Sequence, residues 1–248
     1  NLCTKISNPN GESVSTIEHL MFSFYSLGIT NLFIEINGPE IPIMDGSAKA
    51  FIDEILKSGL LAQDQKIKKI KILKTFEIRD HQKFIKYEPT NKDFLEIDYS
   101  LNYQDQCIKK QNFLLKNAQK NSLEVAHCRT FCHQEDLEKI FAMGLAKGGS
   151  LDNAIVISGN KILNQGGLRC KNEFVRHKVL DCLGDLYLSG YFINGKITCN
   201  QGGHELTANL IKKIFENKKN YLMDDSSVST NSKITKKMSN TPRIHAVV

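Results

Sequence analysis

The segment FVRHKVLDCLGD, at 174–185, constrains the fold more than any other part of this 248-residue chain. Its apolar residues recur at helical spacing, which predicts a helix with one face buried in a core. Four titratable side chains interrupt that pattern: His177, Lys178, Asp181 and Asp185. Because a buried charge is costly unless it is paired or bound to a metal ion, a fold that buries this helix must also give these groups partners.

The spacing of His177 and Asp181 indicates one kind of partner. Residues four positions apart lie on one side of a helix, so these two side chains point the same way, and Asp185 follows one turn later. An imidazole and a carboxylate so placed can hold a metal ion, whereas the alternative is an amphipathic helix with a solvated polar edge. A catalytic zinc site needs a third protein ligand. We predict that it is His19 of STIEHL, because this histidine adjoins Glu18 near the start of a helix.

Glu18 and His204 are candidates for proton transfer at such a site. Glu18 is predicted to act as a general base on an attacking water molecule. It also completes the pattern Ser15-x-x-Glu18, a capping box that would only hydrogen-bond the helix end, and this alternative stays open. His204 follows two glycines that let the backbone bring its imidazole close to a ligand, and a carboxylate such as Asp185 would keep it protonated as a general acid. An isolated histidine is otherwise a surface residue or one satisfied by local contacts.

Thr130 and Lys178 are candidates to stabilise negative charge on a reacting oxygen. Thr130 offers a hydroxyl in the segment HCRTFC, beside Arg129 at the end of a predicted strand. Lys178 adjoins a predicted metal ligand, so its ammonium could meet an oxyanion or a substrate phosphate. Both are equally compatible with ordinary polar side chains, Lys178 with its ammonium in solvent.

The rest of the chain alternates helical and strand patterns, which predicts an α+β fold. Helices are predicted at 16–27, 48–58, 134–146, 172–189 and from His204 onward. Extended segments are predicted at 31–37, 41–44, 67–74, 83–88, 94–101, 124–131 and 151–158. These elements group into two α+β domains, 1–64 and 65–217, and a flexible polar tail at 218–248, where few apolar residues are left to bury.

Composition limits the class of protein. The content of 41% hydrophobic and 24% charged residues is that of an ordinary globular protein. No apolar run approaches the roughly 18 residues that cross a bilayer, and no signal peptide is recognisable, so we expect a cytoplasmic protein. The seven cysteines are never spaced as C-x-x-C, which predicts neither a disulfide framework nor a thiolate zinc knuckle. Most are expected to be small buried hydrophobic residues.

The net charge of +6 raises nucleic-acid binding as an alternative function. Much of the excess lies in 66–74, in 109–120 and beyond Lys212, and such runs are typical of solvated faces. No stretch interleaves basic with aromatic residues as binding to single strands requires. We therefore expect no nucleic-acid partner, and a phosphorylated small-molecule substrate would suit a mild basic excess.

Six motifs occur together in a specific order: STIEHL, INGPEIPIMDGSAKAF, RTF, GLAKGGSLDNAIV, EFVRHKVLDCLGDLYLSG and GGHELTANLI. Over about residues 1–215 the chain resembles the family of UDP-3-O-acyl-N-acetylglucosamine deacetylases, the bacterial zinc amidases of lipid A biosynthesis. The resemblance implies two similar small α+β domains, with helices sandwiched between two sheets and an active site at the domain interface. It also implies hydrolysis of the N-acetyl group of a UDP-linked, 3-O-acylated glucosamine, by a protein that we expect to be a monomer.

The resemblance assigns a role to each matching residue. The ligands of Zn²⁺ would be His19, His177 and Asp181, a set that can also hold Fe²⁺. The catalytic residues would be Glu18 as general base, His204 as general acid, Asp185 orienting His204, and Lys178 with Thr130 on the oxyanion. The residues that bind the substrate, chiefly along an apolar passage for its acyl chain, would be Phe131, Lys178, Ile140, Met143 and Gly149, with Leu137 and Phe141 nearby. A core-facing helix would show the same apolar pattern between 131 and 149.

The family carries a further N-terminal segment ahead of the position that matches Asn1. We therefore expect this chain to lack that segment and the strands that it contributes to the first domain. A truncated or degenerate homologue that binds zinc without turnover is accordingly an alternative function.

Overall fold

The computed structural model describes residues 2–142 and 148–224 and confirms the predicted α+β class. Six α-helices lie within those residues: α1 Glu18–Leu27, α2 Lys49–Ser58, α3 Ala118–Asn121, α4 Gln134–Ala142, α5 Glu173–Tyr187 and α6 His204–Phe215. All but the short α3 were predicted, although the end of the helix predicted to reach 146 lies outside the described residues. Within the described residues, no helix is long and apolar enough to cross a membrane.

Twelve strands in the same residues form three sheets. They are β1 Lys5–Ser7, β2 Ser13–Ser15, β3 Lys69–Ile72, β4 Phe76–Asp80, β5 Lys83–Glu88, β6 Leu95–Asn102, β7 Lys110–Leu115, β8 Phe131–His133, β9 Ile155–Ser158, β10 Lys161–Ile162, β11 Phe192–Asn200 and β12 Tyr221–Asp224. Strands β1 and β2 form a two-stranded sheet, and β10, β9 and β8 form a three-stranded sheet in that order. The other seven strands form the main sheet.

Strand β11 is the centre of the main sheet because it pairs along its whole length. Its first three residues run parallel to β3, and Lys196–Asn200 lies between antiparallel β5 and parallel β6. Strands β4, β7 and β12 extend the sheet from β5, β6 and β3 respectively. The FINGKITCN sequence of β11 alternates buried and partly buried residues, as a period of two requires for a strand with one face on the core.

Helix α5 lies in the core against β6, β7, α1 and α6. All of its residues except Arg176 and Lys178 are buried, including Phe174, Val175, Val179, Leu180 and Leu183. Its apolar residues explain this burial, since each large side chain removed from water stabilises the fold by about 1.5–3 kcal/mol. The polar residues of the same helix are therefore carried into the interior, as the sequence predicts.

Gly184 of α5 sets how closely this helix approaches α1. A Cβ atom at this position would collide with the backbone carbonyl oxygen of Glu18, at the start of α1. Any side chain here would push the two helices apart, because backbone atoms cannot move aside as a flexible side chain can. The glycine therefore allows α1 to bring Glu18 and His19 close to the polar residues of α5.

The strands predicted at 31–37 and 41–44 do not form in the structure. Residues 31–37 pair with no strand among the described residues, and Leu32, Phe33 and Ile34 are exposed. A strand needs a neighbour for its backbone N–H and C=O groups, and the pattern of one segment cannot supply one. The ordered strands of this part of the chain are instead β1 and β2.

The strand predicted at 124–131 is also wrong, because most of this segment turns. Val125 donates its backbone N–H to Ser122, and Cys128 donates to Val125, so buried residues here follow successive turns rather than a strand. Strand β8 then covers only Phe131–His133. Strands β2, β4, β7, β10, β11 and β12 were not predicted.

Residues 218–224, predicted as the start of a flexible tail, are ordered. Lys218–Asn220 forms a 3-10 turn and β12 pairs antiparallel with β3. The Tyr221 ring packs on Phe215 with centroids 4.8 Å apart, and the Asn220 amide donates to the carbonyl of Ile214 at 3.0 Å. These contacts offset the ordering entropy of a polar segment. Residues 225–248 lie outside the described part of the chain, and the domain boundary at 64/65 stays a prediction.

Candidate metal centre and active site

Three predicted metal ligands meet where α1 packs on α5. His19 comes from α1, and His177 and Asp181 come from consecutive turns of α5. All three are buried, and their donor atoms lie within 4.8 Å of one another. The Asp181 Oδ1 atom is 3.5 Å from His19 Nε2 and 3.3 Å from His177 Nε2. We call this group the α1–α5 centre.

The α1–α5 centre fits a tetrahedral metal ion. Bonds of about 2.0–2.2 Å to nitrogen and oxygen place neighbouring ligands of such an ion about 3.4 Å apart, close to both separations from Asp181 Oδ1. Among the described residues, this Oδ1 atom and His19 Nδ1 are buried without a hydrogen-bond partner. A buried polar atom rarely stays unpaired, so an ion among these donors would account for the unpaired Oδ1.

His177 is held in the form that a metal ligand requires. Its Nδ1 atom lies 3.0 Å from the carbonyl oxygen of Cys128, which can only accept, so Nδ1 carries the proton. This hydrogen bond leaves the lone pair of Nε2 facing Asp181 and fixes the ring, as the outer ring nitrogen of a metal-binding histidine does when it donates to a carbonyl. Burial lowers the pKa of His177 to about 4, which keeps the imidazole neutral near pH 7.

Lys178 lies against the ligand carboxylate. Its ammonium donates to Asp181 Oδ2 at 2.6 Å, while Oδ1 faces the two histidines. Burial opposes ionisation of Asp181, but its charged and hydrogen-bonding neighbours, Lys178 among them, outweigh burial and hold the pKa of this carboxyl well below its usual range. Burial likewise opposes the charge of Lys178, and the neighbouring Asp181 outweighs it, so the pKa of Lys178 is raised. The predicted contact of Lys178 with an oxyanion stays a prediction.

Beside the α1–α5 centre, Glu18 and His204 face each other. Glu18 Oε1 is 3.7 Å from His204 Nε2, and His204 Nδ1 lies 2.8 Å from Asp185 Oδ2. Burial alone would lower the pKa of His204, but the charge and hydrogen bond of Asp185 outweigh it and raise this pKa. Burial also raises the pKa of Glu18, although His204 opposes the effect. The carboxylate of Glu18 is thus more basic than usual, and the neighbouring imidazole of His204 keeps its proton to a higher pH than an ordinary histidine.

The capping-box alternative for Glu18 does not form. Ser15 belongs to β2, and its hydroxyl donates to the carbonyl of Pro39 at 3.1 Å. Helix α1 is preceded by Ile17, which makes no side-chain cap. The Glu18 side chain is therefore free to point toward His204.

Thr4 is a site residue that the sequence does not reveal. Its backbone N–H donates to Glu18 Oε2 at 3.0 Å, and its hydroxyl donates to Asp185 Oδ1 at 2.6 Å. Thr4 therefore ties together the candidate base and the carboxylate that orients His204. These contacts span 14 and 181 positions, and no local motif surrounds Thr4, so only the fold brings them together.

The remaining predicted residues lie nearby or outside the described part of the chain. Phe131 packs edge-on against His177, with ring centroids 6.4 Å apart. Thr130 is partly buried, and its backbone N–H donates to the carbonyl of Gly46 at 2.8 Å. Ile140 is partly buried on α4 and Gly149 is exposed. Met143 lies outside the described residues.

This α+β fold carries a buried cluster of two histidines and a carboxylate, with a candidate base and acid beside it, and this combination defines a hydrolase of the metal-dependent class. The chain belongs to the family of UDP-3-O-acyl N-acetylglycosamine deacetylases (LpxC), whose sequence model matches residues 1–216. The match confirms the resemblance noted from the motifs.

Curated relatives named UDP-3-O-acyl-N-acetylglucosamine deacetylase are similar over most of the chain. The protein from Haemophilus ducreyi is 41% identical over 220 residues, which are 88% of this chain and 72% of the relative. The protein from Actinobacillus pleuropneumoniae serotype 3 is 41% identical over 219 residues, 87% of this chain and 71% of the relative. The protein from Pasteurella multocida is 40% identical over the same shares.

Proposed function

We propose that this chain hydrolyses the N-acetyl group of UDP-3-O-acyl-N-acetylglucosamine, giving acetate and the free 2-amine, as a step of lipid A biosynthesis. The observation that carries the proposal is the contact of Glu18 with His204, 3.7 Å apart beside the α1–α5 centre. A base and an acid on opposite sides of a small gap are what amide hydrolysis requires. The names of the family and of its relatives supply the substrate.

The metal would be Zn²⁺, held by His19, His177 and Asp181, with Fe²⁺ as the other ion that this donor set accepts. When bound, the ion would polarise the acetyl carbonyl and lower the pKa of a water molecule. The protein residues prepare the ligands for this role. Cys128 keeps Nε2 of His177 free for the ion, and Lys178 keeps Asp181 ionised.

Glu18 and His204 would move the protons of the reaction. The Glu18 carboxylate accepts a proton from the water molecule whose oxygen attacks the acetyl carbon. Lys178 and Thr130 stabilise the negative charge that develops on the carbonyl oxygen. His204, kept protonated by Asp185, then gives its proton to the nitrogen as the C–N bond breaks. The products are acetate and an amine, and no covalent enzyme intermediate is formed.

The substrate would lie over Phe131 and α4. Phe131 borders His177, and the partly buried Ile140 belongs to the helix that follows β8, so an acyl chain along this element would end near the reacting amide. Met143, Gly149 and Lys178 complete the proposed contacts. We also propose a monomeric, cytoplasmic protein, and the seven free cysteines are the observation that favours a reducing compartment.

The test is acetate release by the purified chain from UDP-3-O-acyl-N-acetylglucosamine, after metal removal and after Zn²⁺ is restored. We expect no turnover without metal, recovery when Zn²⁺ is restored, and slower turnover of the analogue that lacks the 3-O-acyl chain. A folded protein that binds zinc and releases no acetate would support the alternative of a degenerate homologue. Circular dichroism in the same samples establishes that the chain is folded.

A further inference from the structure

A second group of metal-type donors lies at the loops before β8 and α5. It consists of His127, Cys128 and Cys170, whose donor atoms all lie within 4.8 Å of one another. We call it the loop thiol cluster. We propose that it binds a thiophilic divalent cation of the zinc class and thereby ties the two loops together.

The separation of the two sulfur atoms suits a tetrahedral ion. Cys128 Sγ and Cys170 Sγ are 3.7 Å apart. With bonds of about 2.3 Å, two thiolates on tetrahedral zinc lie about 3.8 Å apart. A disulfide would need them at about 2.05 Å. Because a hydrogen bond between two thiols has a similar length, the proposal also depends on the third donor, the imidazole of His127.

The surrounding charges are compatible with a bound cation. Two thiolates and a neutral imidazole would balance a divalent ion. Two of the nearby guanidinium groups already have anionic partners, since Arg129 Nε donates to Glu173 at 3.0 Å and Arg169 donates to Asp45 at 2.8 Å. A third, that of Arg176, lies over the Phe113 ring, 4.0 Å from its centroid. Arg169 also donates to the carbonyl of His127 at 3.0 Å, which fixes the loop that carries two of the three donors.

The loop thiol cluster is accessible and adjoins the α1–α5 centre. His127 and Cys170 are partly exposed, so an ion can enter from their side, while Cys128 is buried. The carbonyl of the same Cys128 accepts the hydrogen bond from His177 Nδ1 at 3.0 Å. An ion on the Cys128 sulfur would therefore fix the residue that orients a ligand of the neighbouring centre.

Sulfur distinguishes the two sites in a binding experiment. The α1–α5 centre contains no thiolate, so the ultraviolet charge-transfer band that Cd²⁺ gives with thiolates can come only from cysteine ligands. The experiment titrates Cd²⁺ into the reduced chain, after thiol counting has established that Cys128 and Cys170 are not joined. We expect a band that saturates at one equivalent of thiolate-bound Cd²⁺ per chain.

The variants Cys170→Ser and His127→Ala test the ligand set. We expect Cys170→Ser to lose the band and His127→Ala to bind Cd²⁺ at least tenfold more weakly. Cys107→Ser is the matched control, since Cys107 belongs to no metal-type group among the described residues, and should keep the full band. Circular dichroism checks the fold of each variant. If Cys170→Ser does not fold, His127→Ala tests the site, because His127 lies on its partly exposed side. No band in the reduced parent, or a band that persists in folded Cys170→Ser, would overturn the proposal.

Discussion

The α1–α5 centre and the loop thiol cluster offer the same number of donors but lie in different surroundings. The first is buried, has nitrogen and oxygen donors, and lies beside Glu18 and His204. The second is partly exposed, has two sulfur donors, and lies near Arg129 and Arg169, whose guanidinium groups are paired with carboxylates. One hydrogen bond, from His177 to the Cys128 carbonyl, joins them. The two clusters differ chiefly in their neighbours. A general base and a general acid beside the metal-type donors, more than the donors themselves, distinguish a catalytic site from a binding site.

Removing a ligand from the α1–α5 centre should have the largest effect. In His19→Ala we expect the loss of one equivalent of bound zinc and a fall in kcat/KM of roughly 1,000-fold or more, because a catalytic metal supplies several kcal/mol of transition-state stabilisation. The thiolate band of Cd²⁺ should survive. His81→Ala, on an exposed histidine, is the matched control. Measured metal content and acetate release check this, and full zinc content in His19→Ala would contradict the ligand assignment.

Asp185→Asn should have the next largest effect, through the pH dependence of activity. Asp185 raises the pKa of His204, so the general acid stays protonated to a higher pH than an ordinary histidine. Activity that needs protonated His204 is present below its pKa and is lost as pH rises through it. Without the carboxylate the pKa falls, so the basic limb of kcat/KM should move to lower pH.

At neutral pH we expect Asp185→Asn to reduce kcat/KM roughly 10- to 100-fold, by analogy with the loss of hydrogen-bond partners that orient metal ligands. Zinc content should not change, because Asp185 belongs to neither cluster. Asp53→Asn, on an exposed carboxylate paired with Lys49, is the control. An unshifted basic limb would show that His204 does not provide the titrating proton.

Gly184→Ala tests whether the α1–α5 centre, unlike the loop thiol cluster, depends on the close spacing of α1 and α5. The added Cβ would collide with the carbonyl of Glu18, so we expect a fall of about 1–3 kcal/mol in the free energy of unfolding and weaker zinc binding at the α1–α5 centre. The loop thiol cluster should keep its Cd²⁺ band. Gly38→Ala, where a Cβ meets no atom within 4 Å, is the control for denaturant unfolding. An unchanged free energy of unfolding would show that α1 and α5 accommodate the added methyl group without loss of stability.

Cys170→Ser should have the smallest effect on catalysis. Among the described residues, the loop thiol cluster contacts the α1–α5 centre through the Cys128 carbonyl, so kcat/KM should stay within about threefold of the parent, a change below 1 kcal/mol. Acetate release with zinc-loaded protein measures this. A loss as large as that of His19→Ala would mean that the two clusters act as one catalytic unit.

Sequence patterns predicted the parts of the site that lie on strongly periodic helices. The spacing of His177 and Asp181 predicted that both residues lie on one face of a helix. The same helix places Asp185 next to His204. Helix α1 was equally predictable, and with it His19. Local periodicity was sufficient here because each helix carries its site residues on one face.

Other features depend on contacts that local patterns do not encode. Thr4 reaches Glu18 and Asp185 only because the chain folds back on α1 and α5. Cys128 and Cys170 lack the C-x-x-C spacing of a zinc knuckle, and turns rather than the predicted strand at 124–131 bring them together. The predicted strand at 31–37 failed for the same reason, since its pairing depended on a neighbour that its own sequence could not specify.

The most direct test of the central claim is the zinc content and acetate release of Glu18→Gln beside those of Glu216→Gln, a control on an exposed carboxylate of another ion pair. If Glu18 is the base next to a metal centre built by other residues, Glu18→Gln will keep one equivalent of zinc at the α1–α5 centre and lose roughly 10²- to 10⁴-fold in kcat. Glu216→Gln will keep both zinc and activity. Parent-like activity in zinc-loaded Glu18→Gln would contradict the account.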